Sequence, residues 1–266
     1  MDLNAPSLVS RIKAMAKIIL PVRVRHQLLL WQQRISCWPP AGGVRFGSLR
    51  RVSPVSRRFG FGRGLSVDRH YIEAFLTRCA RDIQGRVLEI GDDAYTRRFG
   101  GQRVSGSDVL HVVPGHPGAT MIADLTAADH LPSDIFDCII CTQTLQYIFE
   151  VPKAIHTLYR MLKPGGVLLA TVPGISQISR YDMDHWGEHW RFTSLSAQRL
   201  FGERFGTEHV TVEARGNVLV AVAFLHGLAA QELRVEELHA HDRDYEVLIT
   251  VRAVKAAQDQ TKQAGT

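Results

Sequence analysis

Two short apolar runs with a helical segment between them give the clearest pattern in the chain. The runs cover residues 138–141 and 167–172, a length that is typical of buried strands rather than of helices. Residues 151–162 have helical spacing, and Pro164 with two following glycines ends this helix. Strand, helix and strand in this order predict a parallel pair of strands joined by a crossover helix.

The same alternation of strands and helices extends to both sides of this unit. The pattern predicts helices over residues 68–83 and 218–233, and further strands over residues 86–90, 104–109, 120–123, 209–214 and 245–251. Such an alternation predicts an α/β fold in which helices cover both faces of a mostly parallel sheet. We expect the main domain to span residues 66–255 and a polar tail to follow over residues 256–266.

The N-terminal part of the chain has a different character. Residues 7–20 and 22–38 have helical spacing with basic residues interspersed, and residues 44–67 are rich in Arg, Gly and Ser. We interpret residues 1–65 as a basic helical arm followed by an Arg/Gly-rich linker. Two roles of the arm stay open, which are packing on its own domain or a partner, and contact with an anionic membrane surface.

Positive charge is concentrated in this arm. Residues 1–70 contain thirteen Lys or Arg and two Asp or Glu, a net charge of +11, whereas the whole chain carries +6. The remaining residues therefore carry −5. An acidic main domain makes a nucleic-acid partner a poor hypothesis for it.

The composition is ordinary for a globular protein, with 45% hydrophobic and 22% charged residues. No apolar run approaches the roughly 18 to 20 residues of a membrane span, and no cleaved signal peptide is predicted. Cys138 and Cys141 point to opposite faces of a predicted strand, so we expect buried thiols rather than a redox or zinc pair. These features predict a cytoplasmic protein, with contact to the inner membrane surface as the open alternative.

A specific motif precedes the second apolar run. Phe136-Asp137 opens the first run, and residues 160–166 read Arg-Met-Leu-Lys-Pro-Gly-Gly before the second. This order resembles the second half of class I S-adenosylmethionine (SAM) dependent methyltransferases, in particular the small-molecule group often called type 11. The resemblance implies a Rossmann-like sheet of seven mostly parallel strands with an antiparallel edge strand, and it implies SAM as the cofactor.

The resemblance also implies where SAM binds. In the family the first strand ends in a glycine-rich loop, commonly E-x-G-x-G-x-G, that approaches the methionine part of SAM. Here the strand ends in Glu89-Ile90-Gly91, and Asp93 and Tyr95 stand where the family usually has glycine. We predict that Glu89 and Gly91 belong to the cofactor site and that Asp93 holds the amino group of SAM. Loss of SAM binding is the alternative.

Further positions at predicted strand ends resemble family contacts. Asp108, at the end of the second strand, matches an acidic residue that binds the ribose hydroxyls, and a turn aspartate is the alternative. Asp124 and Leu125 follow the third strand and match the adenine contact. Thr142 and Gln143 follow the fourth strand, where family members line the methionine part, and capping of the next helix is the alternative.

The segment after the fifth strand is expected to bind the methyl acceptor. Residues 173–193 are dense in aromatic, acidic, His and Arg side chains, which suits a sugar or another small polar ring. A hydroxyl acceptor needs a base, and this segment offers five candidates: His185, His189, Asp182, Asp184 and Glu188. We predict His189 as the base, because neutral imidazole is available near pH 7, with Asp184 as the second candidate.

Residues 185–189 also match the zinc-protease pattern H-x-x-E-H. That pattern needs a stable helix, and Gly187 with its flanking tryptophans disfavours one. We therefore predict no metal site here.

Three functions follow from these features. The first is a SAM-dependent methyltransferase that modifies a small-molecule or glycan-type acceptor, at a hydroxyl group. The second is a non-catalytic binding or scaffold protein whose altered loop no longer admits the cofactor. The third is an RNA methyltransferase that uses the basic arm, and it is disfavoured because no base-methylation motif follows the fourth strand at residues 142–145.

Overall fold

The computed structural model describes residues 21–257, except residues 25, 28–30, 32–37 and 41. The chain forms two compact units, Met1–Val52 and Ser53–Thr266. In the first unit a 3-10 helix covers Gly47–Leu49. The predicted helix at residues 7–20 lies outside the described residues, as does most of the predicted polar tail. Within the described part of the chain, no helix is both long enough and apolar enough to cross a membrane.

The second unit is built around one mixed sheet of seven strands. The strands are β1 (Gly85–Ile90), β2 (Val104–His111), β3 (Met121–Ile122), β4 (Phe136–Thr142), β5 (Leu162–Pro173), β6 (Val210–Arg215) and β7 (Leu248–Val254). Their spatial order is β3-β2-β1-β4-β5-β7-β6. The pairs among β1 to β5 are parallel, and β7 runs antiparallel to both of its neighbours. The predicted fold class is therefore confirmed.

Helices cover this sheet on both faces. The helices of this unit are α1 (Val67–Arg78), α2 (Val151–Met161), α3 (Arg180–His185), α4 (Ser194–Phe205), α5 (Val218–Leu225) and α6 (Val235–His239), and all but α3 contribute to the cores. Two separate apolar cores result, one on each face of the sheet. Cys138 lies in one core and Cys141 in the other, and both are fully buried, as the alternation of side chains along β4 requires.

Several element boundaries differ from the prediction. The helix expected over residues 68–83 ends at Arg78, and the helix expected over residues 218–233 ends at Leu225. Gly227, with φ +68°, breaks the second of these. Helix α4 was not predicted, although Thr193 and Ser196 form a reciprocal capping box at its start.

Residues 53–65, which we call the strap, belong to the compact second unit. The sequence assigned them to a linker. Ser56 N–H donates to the carbonyl oxygen of His226 at 3.0 Å, and the Phe59 ring lies 6.0 Å from that of Phe224. Arg63 forms an ion pair with Glu232. These contacts hold the strap against the segment that follows α5.

Candidate active site

A cavity of about 560 Å³ opens at the carboxyl ends of β1, β2 and β4. Parallel sheets bind ligands at this edge, and the volume lies in the range of small-molecule sites. Its lining includes Gly91, His111, Asp124, Leu125, Thr142, Gln143, Tyr147, Asp182 and Trp186. We call it the larger cavity.

Gly91 follows β1 and has φ +98°, a conformation that side-chain-bearing residues rarely adopt. A Cβ atom built on it would meet nothing within 4 Å, because the position faces open space. Gly91 also lines the larger cavity. The glycine therefore leaves room at the end of β1 that a side chain would occupy.

Glu89 is buried beneath this turn. Its carboxylate accepts hydrogen bonds from Thr96 N–H at 2.7 Å, from the Thr96 hydroxyl at 2.8 Å and from Tyr95 N–H at 3.2 Å. Glu89 thus holds the turn that follows Gly91 and does not line the larger cavity. Burial raises the pKa of the Glu89 carboxyl to about 7, even though the hydrogen bonds from Thr96 and Tyr95 act in the opposite direction.

This raised pKa predicts that stability falls as pH rises. Between the ordinary value of 4.5 and about 7, the folded protein keeps a proton on Glu89 that the unfolded chain releases. The free energy of unfolding should drop by up to about 3 kcal/mol across this window and level off above it. Urea unfolding of wild type and Glu89→Gln, measured between pH 4.5 and 8, should show this slope only in wild type.

The matched control for that measurement is Glu150→Gln, because Glu150 is an exposed carboxylate. It should keep the slope of the wild type. Equal slopes in wild type and Glu89→Gln would assign the pH dependence to other groups.

The two residues at the family's glycine positions point away from the larger cavity. Asp93 forms an ion pair with Arg97 at 2.8 Å, and the Tyr95 hydroxyl accepts a hydrogen bond from Arg69 Nη1 at 3.0 Å. Neither Asp93 nor Tyr95 is part of the cavity lining. The side chains of the altered loop therefore do not fill the larger cavity.

The prediction that Asp108 ends β2 is wrong. The strand continues through apolar Val109 and Leu110 to His111, and Asp108 pairs in register with Leu88 inside the sheet. The Asp108 carboxylate accepts from Arg86 Nε at 2.7 Å and from the Thr120 hydroxyl at 2.9 Å. It is not part of the cavity lining.

His111 occupies the end of β2 that was expected for Asp108. Its ring stacks on that of His116 with centroids 4.4 Å apart, and lies 6.4 Å from the Trp186 ring in an edge-on arrangement. His111 and Trp186 both line the larger cavity. The side chain at the carboxyl end of β2 is thus an imidazole.

Asp124 and Leu125 follow β3 and line the larger cavity, where the sequence placed them. Asp124 Oδ1 accepts from Thr126 N–H at 2.8 Å and from its hydroxyl at 2.9 Å, which fixes the turn. Thr142 and Gln143 line the same cavity at the end of β4. Gln143 has φ +48°, a strained conformation for a residue with a side chain.

A smaller cavity of about 120 Å³ adjoins the larger one. Gln143, Tyr147 and Asp182 line both cavities and therefore mark where they meet. The remaining walls of the smaller cavity are Phe59, Phe61, Asp68, Arg69, Gln146, Pro173, Ser176, Glu188, Phe224, Val247 and Leu248. Aromatic walls with a few polar groups suit a small polar ligand.

Asp182 and Tyr147 form a pair at this junction. The Tyr147 hydroxyl donates to Asp182 Oδ2 at 3.1 Å. Burial raises the pKa of Tyr147, so the phenol stays protonated and remains a donor. This hydrogen bond holds the Asp182 carboxylate in place between the two cavities.

The two predicted bases lie elsewhere. His189 is exposed. Its backbone N–H donates to the carbonyl oxygen of Gln146 at 2.8 Å, and its ring packs edge-on against Phe149. Asp184 is exposed in an ion pair with Arg180 at 2.8 Å. Neither residue lines either cavity. The prediction of His189 and Asp184 as residues beside the acceptor is therefore not supported by the geometry.

The other candidates in this segment have structural partners. Glu188 is paired with Arg191 at 2.8 Å and also accepts from Ser179 N–H at 2.8 Å. Helix α3 ends at His185 and Gly187 has φ +80°, so His185 and His189 do not share a helix. Among the described residues, no cluster of three His, Cys, Asp or Glu side chains could hold a metal ion.

Comparison with known proteins identifies the family of the chain. A family model described as a methyltransferase domain matches residues 66–208, more than half of the 266-residue chain. No curated protein matches the chain significantly.

Several solved structures are similar to the chain. Phosphoethanolamine N-methyltransferase 2 from Haemonchus contortus, in complex with S-adenosyl-L-methionine, is 15% identical with a TM-score of 0.46; the match covers 79% of this chain and 55% of that one. N-methyltransferase NodS from Bradyrhizobium japonicum WM9, in complex with S-adenosyl-L-homocysteine, is 16% identical with a TM-score of 0.44, covering 76% and 94%. An S-adenosylmethionine dependent methyltransferase from Mesorhizobium loti is 17% identical with a TM-score of 0.46, covering 71% and 98%.

Proposed function

The chain belongs to the family of methyltransferase domains, and from this premise we propose that it transfers a methyl group from SAM to a hydroxyl of a small-molecule or glycan-type acceptor. The observation that carries the proposal is the junction of two cavities at Gln143, Tyr147 and Asp182. One cavity lies where the fold places its nucleotide-like ligand, and the other offers a separate polar compartment beside it.

The residues that line the larger cavity have the chemistry needed to bind SAM. Gly91 leaves open space at the end of β1, His111 offers a ring nitrogen at the end of β2, and Asp124 offers a carboxylate after β3. We assign the methionine part to the region of Gly91, Thr142 and Gln143. When bound, SAM supplies an activated methyl group on a sulfonium, so the protein's task is to align the acceptor with it.

Asp182 is the group we propose as the base. Its carboxylate lies at the junction, where the acceptor oxygen must approach from the smaller cavity, and Tyr147 fixes its orientation. A hydroxyl oxygen becomes a better nucleophile as its proton moves to a neighbouring carboxylate. The smaller cavity, at about 120 Å³, has room for one small ring or polyol group of a larger acceptor.

The scaffold alternative rests on the altered loop at residues 92–95. Because Asp93 and Tyr95 stand outside the lining of the larger cavity, this loop offers no obstacle to a ligand there. The geometry of the loop therefore supports a retained cofactor site rather than a lost one.

Calorimetry with SAM tests the proposed cofactor site and the assignment of His111, rather than Asp108, to that site. We expect micromolar binding to wild type, about tenfold weaker binding to His111→Ala, and binding within about threefold of wild type for Asp108→Asn. Asp108→Asn is the control because its partners are Arg86 and Thr120. A folded wild type that does not bind millimolar SAM would favour the scaffold alternative. An Asp108→Asn effect larger than that of His111→Ala would return the ribose contact to Asp108.

A further inference from the structure

Helix α5 presents an apolar face to solvent. Val218, Leu219, Val222 and Leu225 are 50%, 45%, 37% and 41% exposed, whereas Val220, Ala221 and Phe224 on the other side are buried in the core. Spacings of three residues place Leu219, Val222 and Leu225 along one stripe. A contiguous apolar stripe on a well-packed helix is a candidate for a contact surface.

The two segments that form this face carry no acidic residue, although the neighbouring helix α6 contains Glu236 and Glu237. Residues 216–231 contain no Asp, Glu, Lys or Arg, and residues 3–67 contain no Asp or Glu. The strap runs beside the end of α5, where Ser56 bonds to His226, and the next two residues are exposed Arg57 and Arg58. Neither arginine forms an ion pair with another described residue.

We propose that this docking face, formed by Leu219, Val222 and Leu225 of α5 with Arg57 and Arg58 of the strap, binds an anionic lipid membrane surface. Apolar side chains enter the boundary between head groups and acyl chains, and arginines contact the lipid phosphates. This location differs from the N-terminal arm to which the sequence pointed.

A second copy of the chain fits the docking face less well. The helix has eight residues, about 12 Å in length, which is short for a helix-to-helix interface. A two-fold interface that paired the apolar stripes would also bring Arg57 and Arg58 of both copies close together. An anionic lipid surface has the complementary charge and needs no matching shape.

The strap and α5, which carry the docking face, also contribute to the smaller cavity. Phe59 of the strap and Phe224 of α5 both line that cavity, and their rings contact each other. The smaller cavity therefore lies on the side of α5 opposite the apolar stripe, and none of the three stripe residues lines it. The proposal does not depend on methyl transfer, and it stands even if the larger cavity binds no cofactor.

Vesicle flotation with the full chain tests this proposal. We compare vesicles of phosphatidylcholine alone with vesicles that also contain phosphatidylglycerol. Wild type should float with the anionic vesicles only, and Leu219→Ser/Val222→Ser and Arg57→Gln/Arg58→Gln should each lower the partition coefficient at least tenfold. The control Leu195→Ser/Arg199→Gln, which changes an exposed leucine and an exposed arginine on α4, should stay within twofold of wild type.

Four outcomes would overturn the proposal. In the first, both docking-face variants float as wild type does, which would assign binding to the N-terminal arm. In the second, wild type binds neutral vesicles as well as anionic ones. In the third, wild type binds neither kind of vesicle. In the fourth, wild type is a dimer in solution and Leu219→Ser/Val222→Ser is a monomer, which would assign the face to a second copy of the chain. All variants change exposed side chains, and their thermal unfolding should match that of wild type.

Discussion

An Asp182→Asn variant is expected to lower kcat for methyl transfer by about 100- to 10,000-fold and to change SAM affinity by less than about threefold. The amide keeps the size of the side chain and can still accept a hydrogen bond from Tyr147, which donates to Asp182 Oδ2 at 3.1 Å in the wild type. It removes the ability to take a proton from the acceptor hydroxyl. The loss should therefore appear in kcat and leave cofactor binding nearly unchanged.

The measurement needs an acceptor, which a screen of hydroxyl-bearing small molecules and glycans with wild type would supply. The matched control is Asp184→Asn, two residues away on α3, whose carboxylate is exposed and paired with Arg180. It should keep kcat within about twofold. A large loss in Asp184→Asn with a normal Asp182→Asn would restore the assignment made from sequence. Equal, near-normal rates in both would show that methyl transfer needs neither carboxylate as a base.

The choice between these two aspartates shows what the sequence could not supply. It marked the segment as rich in candidate groups, but it did not indicate that residues 180–185 form a short helix. On a helix, residues two apart point in nearly opposite directions, so only one of Asp182 and Asp184 can face the cavities. Which one does so depends on where α3 begins, and Ser179 sets that start by capping it.

The error at Asp108 has a related cause. A motif with an acidic residue after a glycine suggested that β2 ends there, yet the next residues are Val109 and Leu110, both buried. Apolar residues that continue beyond a proposed strand end are a sign that the strand continues, and the sequence contained this signal. Arg86 on the neighbouring strand then gives Asp108 an ion pair away from the cavity.

The fold could be predicted from the sequence more fully than the site, because the fold depends on many weak signals that agree. The buried runs of β4 and β5, the helix between them and the turn at residues 163–166 are all local features, and the structure contains each of them. The antiparallel position of β7 came from the resemblance alone, since no local pattern specifies which strand lies between β5 and β6. Both cavities join side chains from elements far apart in the chain, and their geometry depends on tertiary packing.

A Gly91→Val variant is expected to lower SAM affinity at least 100-fold. Two effects contribute, because valine is strained at φ +98° and because its side chain would fill the open space at the end of β1. The strain alone would also destabilise the fold by about 1–2 kcal/mol, so a control must reproduce it without touching the cavity.

Gly165→Val is that control. Gly165 has φ +80°, and a Cβ built on it also meets nothing within 4 Å. It lies near the start of β5, whereas the larger cavity lies at the carboxyl ends of the parallel strands. Calorimetry and thermal unfolding should show a similar loss of stability in both variants and a loss of SAM binding in Gly91→Val alone. Unchanged SAM affinity in a folded Gly91→Val would place the cofactor away from β1, whereas equal loss in both variants would attribute the effect to strain rather than to the shape of the cavity.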